Sequence, residues 1–416
     1  MNMKKIYLVL LITILFTISD SIISQSLVKN GAPKVFLDCR CDLNYVREQI
    51  PVINYVNDRT EADIHILFTD QRTGSGGREY LLLFVGQRNF AGMNDTIKYN
   101  INQIDSEDQR RVKMVDALKA GLSRYIFKSP VADRMKITFT NGTDKNDLSA
   151  STDEWDSWVF RTSLNTSLNG QQTAKHGNIG SSISINRVTE ESKIYLYSSF
   201  NYSESNYDYG ETKISSISRR QNISAIYIGS ISDRWSWGTW SSLTKSTYSN
   251  LNLALSLAPG IEYNFFPYSE ANQRQFRVEY RVNINYNKYA QETIYFKVKE
   301  TLFSHLLRFS FELIEPWGNA GFRLTGSNYL HDFNLYSLST DGFISVRLLK
   351  GFSLDLRGGY SKINNQLTLP RGKATLDEVL LARKEIATDY SYNFGIGISY
   401  SFGSIYNNAV NSRFGD

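Results

Sequence analysis

From Trp158 to the end of the chain, apolar and polar positions alternate one for one in run after run. Phe276, Val278, Tyr280, Val282, Ile284 and Tyr286 are interleaved with Arg277, Glu279, Arg281, Asn283 and Asn285. Successive side chains of a strand point to opposite faces, so this stretch predicts a strand with one oily and one wet face. Strands of soluble domains typically run about 5–6 residues, whereas a strand tilted across a bilayer needs about 9–11. Comparable runs recur at Trp158–Leu168, Leu251–Phe265, Leu307–Leu313, Phe352–Tyr360 and Phe394–Phe402. The run near Asn222 to Ile231 alternates poorly, because Ile226 and Ile228 oppose Ile223 and Tyr227. With the weaker runs between them the staves number about twelve, and single-chain bacterial barrels have an even number.

The connections support the same architecture. Short turns are predicted at Thr189–Lys193, Ser230–Asp233, Glu315–Gly318 and Leu349–Gly351, with a longer link at Pro267–Gln273 on the same side. Polar segments at Ser203–Glu211, Lys288–Glu300 and Asn364–Thr388 fall at the opposite ends. Short inner turns and longer outer loops are the asymmetry of outer-membrane barrels. Trp155, Trp158, Trp235, Trp237, Trp240 and Trp317 all fall at the short-turn end, which predicts an interfacial aromatic girdle there.

Upstream the pattern differs. Val35–Leu37, Ile64–Phe68, Tyr80–Val85 and Thr96–Ile101 are strand-length runs. Asp42 is placed to cap a brief helix. Val112, Val115, Leu118, Leu122, Tyr125 and Ile126 recur at spacings of three and four, which predicts an amphipathic helix, and Ser106 with Gln109 fits a capping box at its start. Thr73 to Gly77 is glycine-rich, but strand follows it and no Lys-Ser/Thr does, so it reads as a hairpin turn and not a phosphate loop. This module spans 30–130. The order of its elements, and the stretch Ala62–Phe68 in particular, resembles small periplasmic modules such as the N-terminal domain of the Tol system's propeller protein.

Residues 1–25 read as a secretory signal, with Lys4 and Lys5 ahead of the apolar run Ile6–Ile18. Residues 131–154 form a polar linker, 155–403 the barrel and 404–416 a C-terminal periplasmic tail. The fold class is therefore α+β multidomain: a small α/β domain followed by an antiparallel transmembrane barrel. A hydrophobic content of 41% and 13% aromatics suit this, since half of a barrel strand is polar. The net charge of +5 is mild and no long basic block marks a nucleic-acid partner.

The final stave, Tyr392 to Phe402, alternates and ends on an aromatic residue. In this it resembles salt-induced-type outer-membrane β-barrel proteins of Gram-negative bacteria. That resemblance implies insertion into outer-membrane lipid and reading of the Phe402 ending by the barrel-assembly machinery. The tail departs from it, and Phe414 is a second candidate for the signal.

Little of the sequence points to catalysis. The four His show no metal or hydrolase spacing. A rim hydrolase would need His305 with Ser304 or Ser310. Cys39 and Cys41 read first as buried free thiols and second as a local disulfide. No cofactor is expected. Candidate lumen-lining residues are Arg277, Glu279, Arg281, Arg308, Glu312, Arg323, Arg347, Asp355 and Arg357, with Arg161 and Glu262 on the same wet faces. They either line a pore or pair into a network that fills it. The reading is a non-enzymatic barrel for passive or gated passage of small solutes, or for envelope organisation through a protein partner of the α/β domain. A rim hydrolase and an exported adhesin or binding protein are the alternatives.

Overall fold

The computed structural model describes residues 28–73, 76–135, 155–209, 212–372 and 387–404, together with 406 and 408. The signal-sequence reading, most of the linker and Phe414 lie outside the described residues.

The first unit consists of β1 (Lys34–Asp38), α1 (Leu43–Gln49), β2 (Asn54–Tyr55), β3 (Ile64–Arg72), β4 (Arg78–Gly86), β5 (Asn94–Ile101) and α2 (Glu107–Phe127). Its sheet runs β2-β1-β3-β4-β5, with β1 parallel to both neighbours and the rest antiparallel. Asp42 accepts a hydrogen bond from the Tyr45 amide at 3.0 Å, and both bonds of the Ser106–Gln109 capping box form. Strand β2 is too short to show a period.

The apolar face of α2 puts Leu118, Leu122 and Tyr125 against Ile64, Leu82 and Phe84 in a closed core. Gly121 sits where α2 crosses the Phe84 ring, and a Cβ there would lie 2.1 Å from Phe84 Cζ. Helix propensity alone would favour alanine by about 1 kcal/mol, but Phe84 is buried and cannot yield. Gly121→Val is therefore expected to destabilise this domain by about 1–3 kcal/mol, read as faster amide exchange along α2. Unchanged exchange would show that the ring has room to move.

The second unit is all antiparallel: β6 (Trp158–Gly170), β7 (Ala174–Val188), β8 (Ser192–Tyr209), β9 (Thr212–Ser230), β10 (Trp235–Ser246) and β11 (Leu251–Asn264) lead into β12 (Arg274–Tyr289). Then come β13 (Lys299–Glu315), β14 (Gly318–Tyr329), β15 (Asp332–Leu349), β16 (Phe352–Ile363) and β17 (Tyr390–Tyr400). Each strand pairs with its sequence neighbour, giving a 12-stranded up-and-down β-barrel. The described pairings run from β6 to β17 and include none between those two strands.

Burial in this unit is inverted. Leu257, Ile284 and Phe303 form one cross-strand row, and Ile261, Tyr280 and Leu307 the next. All six are exposed, whereas Glu279, between Val278 and Tyr280 on β12, is 7% exposed. The α/β unit hides its apolar side chains as a soluble domain does, and the barrel displays them. Burying one such side chain is worth about 1.5–3 kcal/mol, so a continuous apolar girdle calls for an apolar surrounding. None of the helices among the described residues is long and apolar enough to cross a membrane.

Two expectations about the barrel need correction. The segment Ser203–Glu211, expected as a polar loop, is largely strand, because β8 and β9 continue pairing out to Tyr209 and Thr212. Trp240, expected in the aromatic girdle, lies on the inner face. It pairs with Ala258 and Ile226, out of step with Trp235 and Trp237, which pair with the outward Tyr263 and Ile261.

Candidate functional site

The inner wall carries one dense ionic cluster. On neighbouring strands Glu262, Glu279, Arg308 and Thr325 occupy one row, so two glutamates lie directly opposite each other. Like charges in that relation repel. Arginines resolve the conflict. Arg308 Nη1 reaches Glu279 at 3.1 Å, Arg281 Nε contacts the other Glu279 oxygen, and Arg277 stands 3.9 Å from Glu262. Tyr268 donates to Glu262 at 3.1 Å from the β11–β12 turn. The guanidinium of Arg281 stacks on Trp240, 3.3 Å from its ring centroid, which holds a cation on an aromatic face inside the barrel.

The other candidates are dispersed. Arg323 faces Asp341 at 3.9 Å, a partner that alternation alone did not single out. Arg357 lies over Gly395, where a Cβ would come within 3.1 Å of its Cγ. Arg161, Arg357, Asp355 and Glu312 have no ion pair among the described residues. The inner faces of β6 and β17 carry small side chains, including Ser163, Ser167, Gly395, Gly397 and Ser399. The same faces also carry Arg161, Asn165 and Asn393, so charge is sparser there than on β10–β13.

The rim with the short turns is covered. Arg347, expected in the lumen, instead reaches out of it and grips Asp38 of β1 with both terminal nitrogens, Nη2 to Oδ1 at 2.5 Å. The reason is position: it stands two residues before the end of β15, level with the α/β domain. Lys350 pairs with Glu61, the Gly351 amide donates to Asp58, and Arg59 donates to the Arg347 carbonyl at 3.0 Å. Burial opposes ionisation of Asp38, but hydrogen bonds from His65 and Arg347 outweigh it and hold its carboxyl below the usual range. Burial likewise opposes ionisation of Asp58, and hydrogen bonds from Thr60 and the Gly351 amide again win. Hydrogen bonds from Lys350 and Arg88 hold Glu61 low as well.

Between the α/β domain and the rim lies a cavity of about 1000 Å³, lined by Arg40, Arg78, Tyr80, Tyr99, Glu312 and Arg347 among others. Cys39 and Cys41 border it and are bonded to each other, so they are not free thiols.

At the opposite rim the loops knit together. Asn250 bridges the Gln291 and Thr368 carbonyls at 2.9 and 3.0 Å, and Arg371 pairs with Glu292 at 2.8 Å. Thr293, Leu367 and Leu369 are buried there.

No family model matches the chain, and no curated protein matches it. Among solved structures it is similar to the NanC porin, with 9% identity over 58% of this chain and 99% of that one, at a TM-score of 0.28. The translocator domain of the autotransporter NalP from Neisseria meningitidis gives 12% identity, 59% and 88% coverage and a TM-score of 0.23. CdiB from Acinetobacter baumannii gives 8% identity, 89% and 74% coverage and a TM-score of 0.28. At these TM-scores the likenesses carry no argument about what the chain does.

The hydrolase reading finds no support in the geometry. His305 pairs across the sheet with Val282 and contacts Tyr280 at 3.2 Å on the outer face. Ser304 and Ser310 have the opposite parity and face the lumen, where Ser304 meets Asn283 at 3.4 Å. The sheet separates the base from either nucleophile.

Proposed function

We propose that this chain is an outer-membrane barrel for gated passage of small, preferentially anionic solutes, with its α/β domain over the periplasmic mouth. The observation that carries the reading is the inverted burial: an exposed apolar outer face around Glu279, Arg281 and Arg308. Such a surface is stable in lipid and unstable in water. Placing the α/β domain in the periplasm follows from the short turns at the rim it covers. The same reading makes outer-membrane lipid the barrel's surrounding and the barrel-assembly machinery its insertion partner.

The anion preference rests on charge. The wet faces carry more arginines than carboxylates. Among the described residues the unpaired Arg161 and Arg357 are matched by the unpaired Glu312 and Asp355, so the preference is set by the arginine excess alone. In planar bilayers the protein is expected to give discrete current steps with a reversal potential on the anion side. Reversing Arg161 or Arg357 to glutamate is expected to lower the anion-to-cation permeability ratio about fivefold, from roughly 1 kcal/mol of close-range Coulomb energy in water. A folded, inserted protein that passes no current would sink the passage reading and leave a scaffold.

A further inference from the structure

The chain following β17 does not trail away from the barrel. Ser404, Tyr406 and Asn408 meet the α/β domain at the outer edge of β2. Tyr406 forms an antiparallel bridge with Val56, the residue after β2. The inner edge here is already committed, since the Asn54 and Val56 amides donate to the Pro33 and Val35 carbonyls. The Tyr55 amide points the other way and donates to Asn408 Oδ1 at 2.6 Å. The same side chain gives its Nδ2 proton to Asn54 Oδ1 at 3.0 Å. Towards Tyr55 the Asn408 side-chain oxygen thus takes the place of a neighbouring strand's carbonyl. Asn57 Nδ2 donates to the Ser404 carbonyl at 3.2 Å, and Lys34 Nζ lies 5.7 Å from the Tyr406 ring centroid. Asn54, Tyr55 and Val56 are all buried.

We propose that the outer edge of β2 is an acceptor for an extended peptide, and that the segment carrying Ser404, Tyr406 and Asn408 is its resident occupant within the same molecule. The recognised feature is an aromatic residue followed two positions later by asparagine, as in Tyr406 and Asn408. The physical case is that of strand addition. A sheet edge offers unpaired donors and acceptors, main-chain pairing supplies affinity, and side chains at fixed positions supply selectivity. Here selectivity comes from an amide that pairs both Tyr55 and Asn54 and from a ring beside Lys34. The proposal is independent of whether the barrel conducts.

The test uses the chain ended after Gly403 and a fluorescent peptide of residues 402–416, in detergent solution. The shortened protein is expected to bind the peptide saturably, and the full chain at least about tenfold more weakly, because its edge is occupied. A peptide carrying Asn408→Ala is expected to bind the shortened protein about tenfold more weakly, as the loss of two hydrogen bonds implies. Equal binding of the two peptides, or equal binding to the two proteins, overturns the proposal. Should the shortened chain fail to assemble, Val56→Cys with Tyr406→Cys in the full chain decides. Directly opposed antiparallel positions are close enough for a disulfide. A cross-link within one monomer supports the proposal, and its absence or a cross-linked dimer overturns it.

Discussion

Replacing Glu279 with alanine is expected to lower the barrel's stability by about 3–5 kcal/mol, more than any other single lumenal substitution. The carboxylate is nearly inaccessible and stands between two guanidinium groups, those of Arg281 and Arg308. Removing it leaves two cations facing each other in a confined space. Glu262, directly opposite, is a control with the same chemistry and a different outcome. Glu262→Gln relieves the repulsion between the two glutamates, keeps an acceptor for the Tyr268 hydroxyl and forfeits a loose contact with Arg277 at 3.9 Å, so it is expected to cost under about 1 kcal/mol. The readout is the temperature at which the folded, fast-migrating form in detergent converts to the unfolded one. At roughly 2–4 °C per kcal/mol, Glu279→Ala should fall by about 6–20 °C. Adding Arg308→Met should restore part of the loss, because it removes one of the uncompensated charges. If the two glutamate variants behave alike, the cluster is a wet surface network and not a structural lock.

Strand parity carried most of what was legible in the sequence, and the errors arose where another argument overrode it. Phe276 to Tyr286 divides as alternation dictates, with Tyr280 and Ile284 outward and Glu279 inward. Trp240 has the opposite parity to Trp235 and Trp237, so alternation alone places it in the lumen. The expectation of an aromatic girdle gathered it with the others by chain position. The blurred alternation of β9 was the same signal seen from the next strand. Ile226 and Ile228 face inward, and Ile226 pairs directly with Trp240. Parity alone also separates His305 from Ser304 and Ser310. Arg347 shares parity with the lumenal arginines, and only the docked position of β1 shows that it leaves the lumen for Asp38. The contacts of Asn408 have no sequence signature at all, because an amide side chain replacing a backbone group requires no pattern in its neighbours.

Arg347→Glu is expected to detach the α/β domain from the rim. One hairpin turn, Leu349 to Gly351 with Arg347 beside it, is held by three carboxylates: Asp38, Asp58 and Glu61. The Arg347–Asp38 contact is bidentate and partly buried, the strongest geometry such a pair adopts. Reversing the arginine replaces attraction by repulsion, worth about 2–3 kcal/mol after allowing for the exposed part of its side chain. The detached population should therefore rise roughly a hundredfold. The Gly351 amide reports this directly, since its proton is donated to Asp58 only while the domain is docked, so its exchange should accelerate to match. Acid should act in the same direction. Docking lowers the ionisation range of these carboxylates, so its contribution is complete above their undocked values, near pH 4, and is lost as pH falls through the depressed docked ones. The bonds from His65 to Asp38, Thr60 to Asp58 and Arg88 to Glu61 lie within the α/β domain and survive detachment, so the pH dependence of docking comes from Arg347, Lys350 and the Gly351 amide. Neutral pH therefore keeps the domain docked on the rim. A Gly351 amide that stays protected in Arg347→Glu, or at pH 3 in the unaltered protein, would show that the tail along β2 suffices to hold the domain in place.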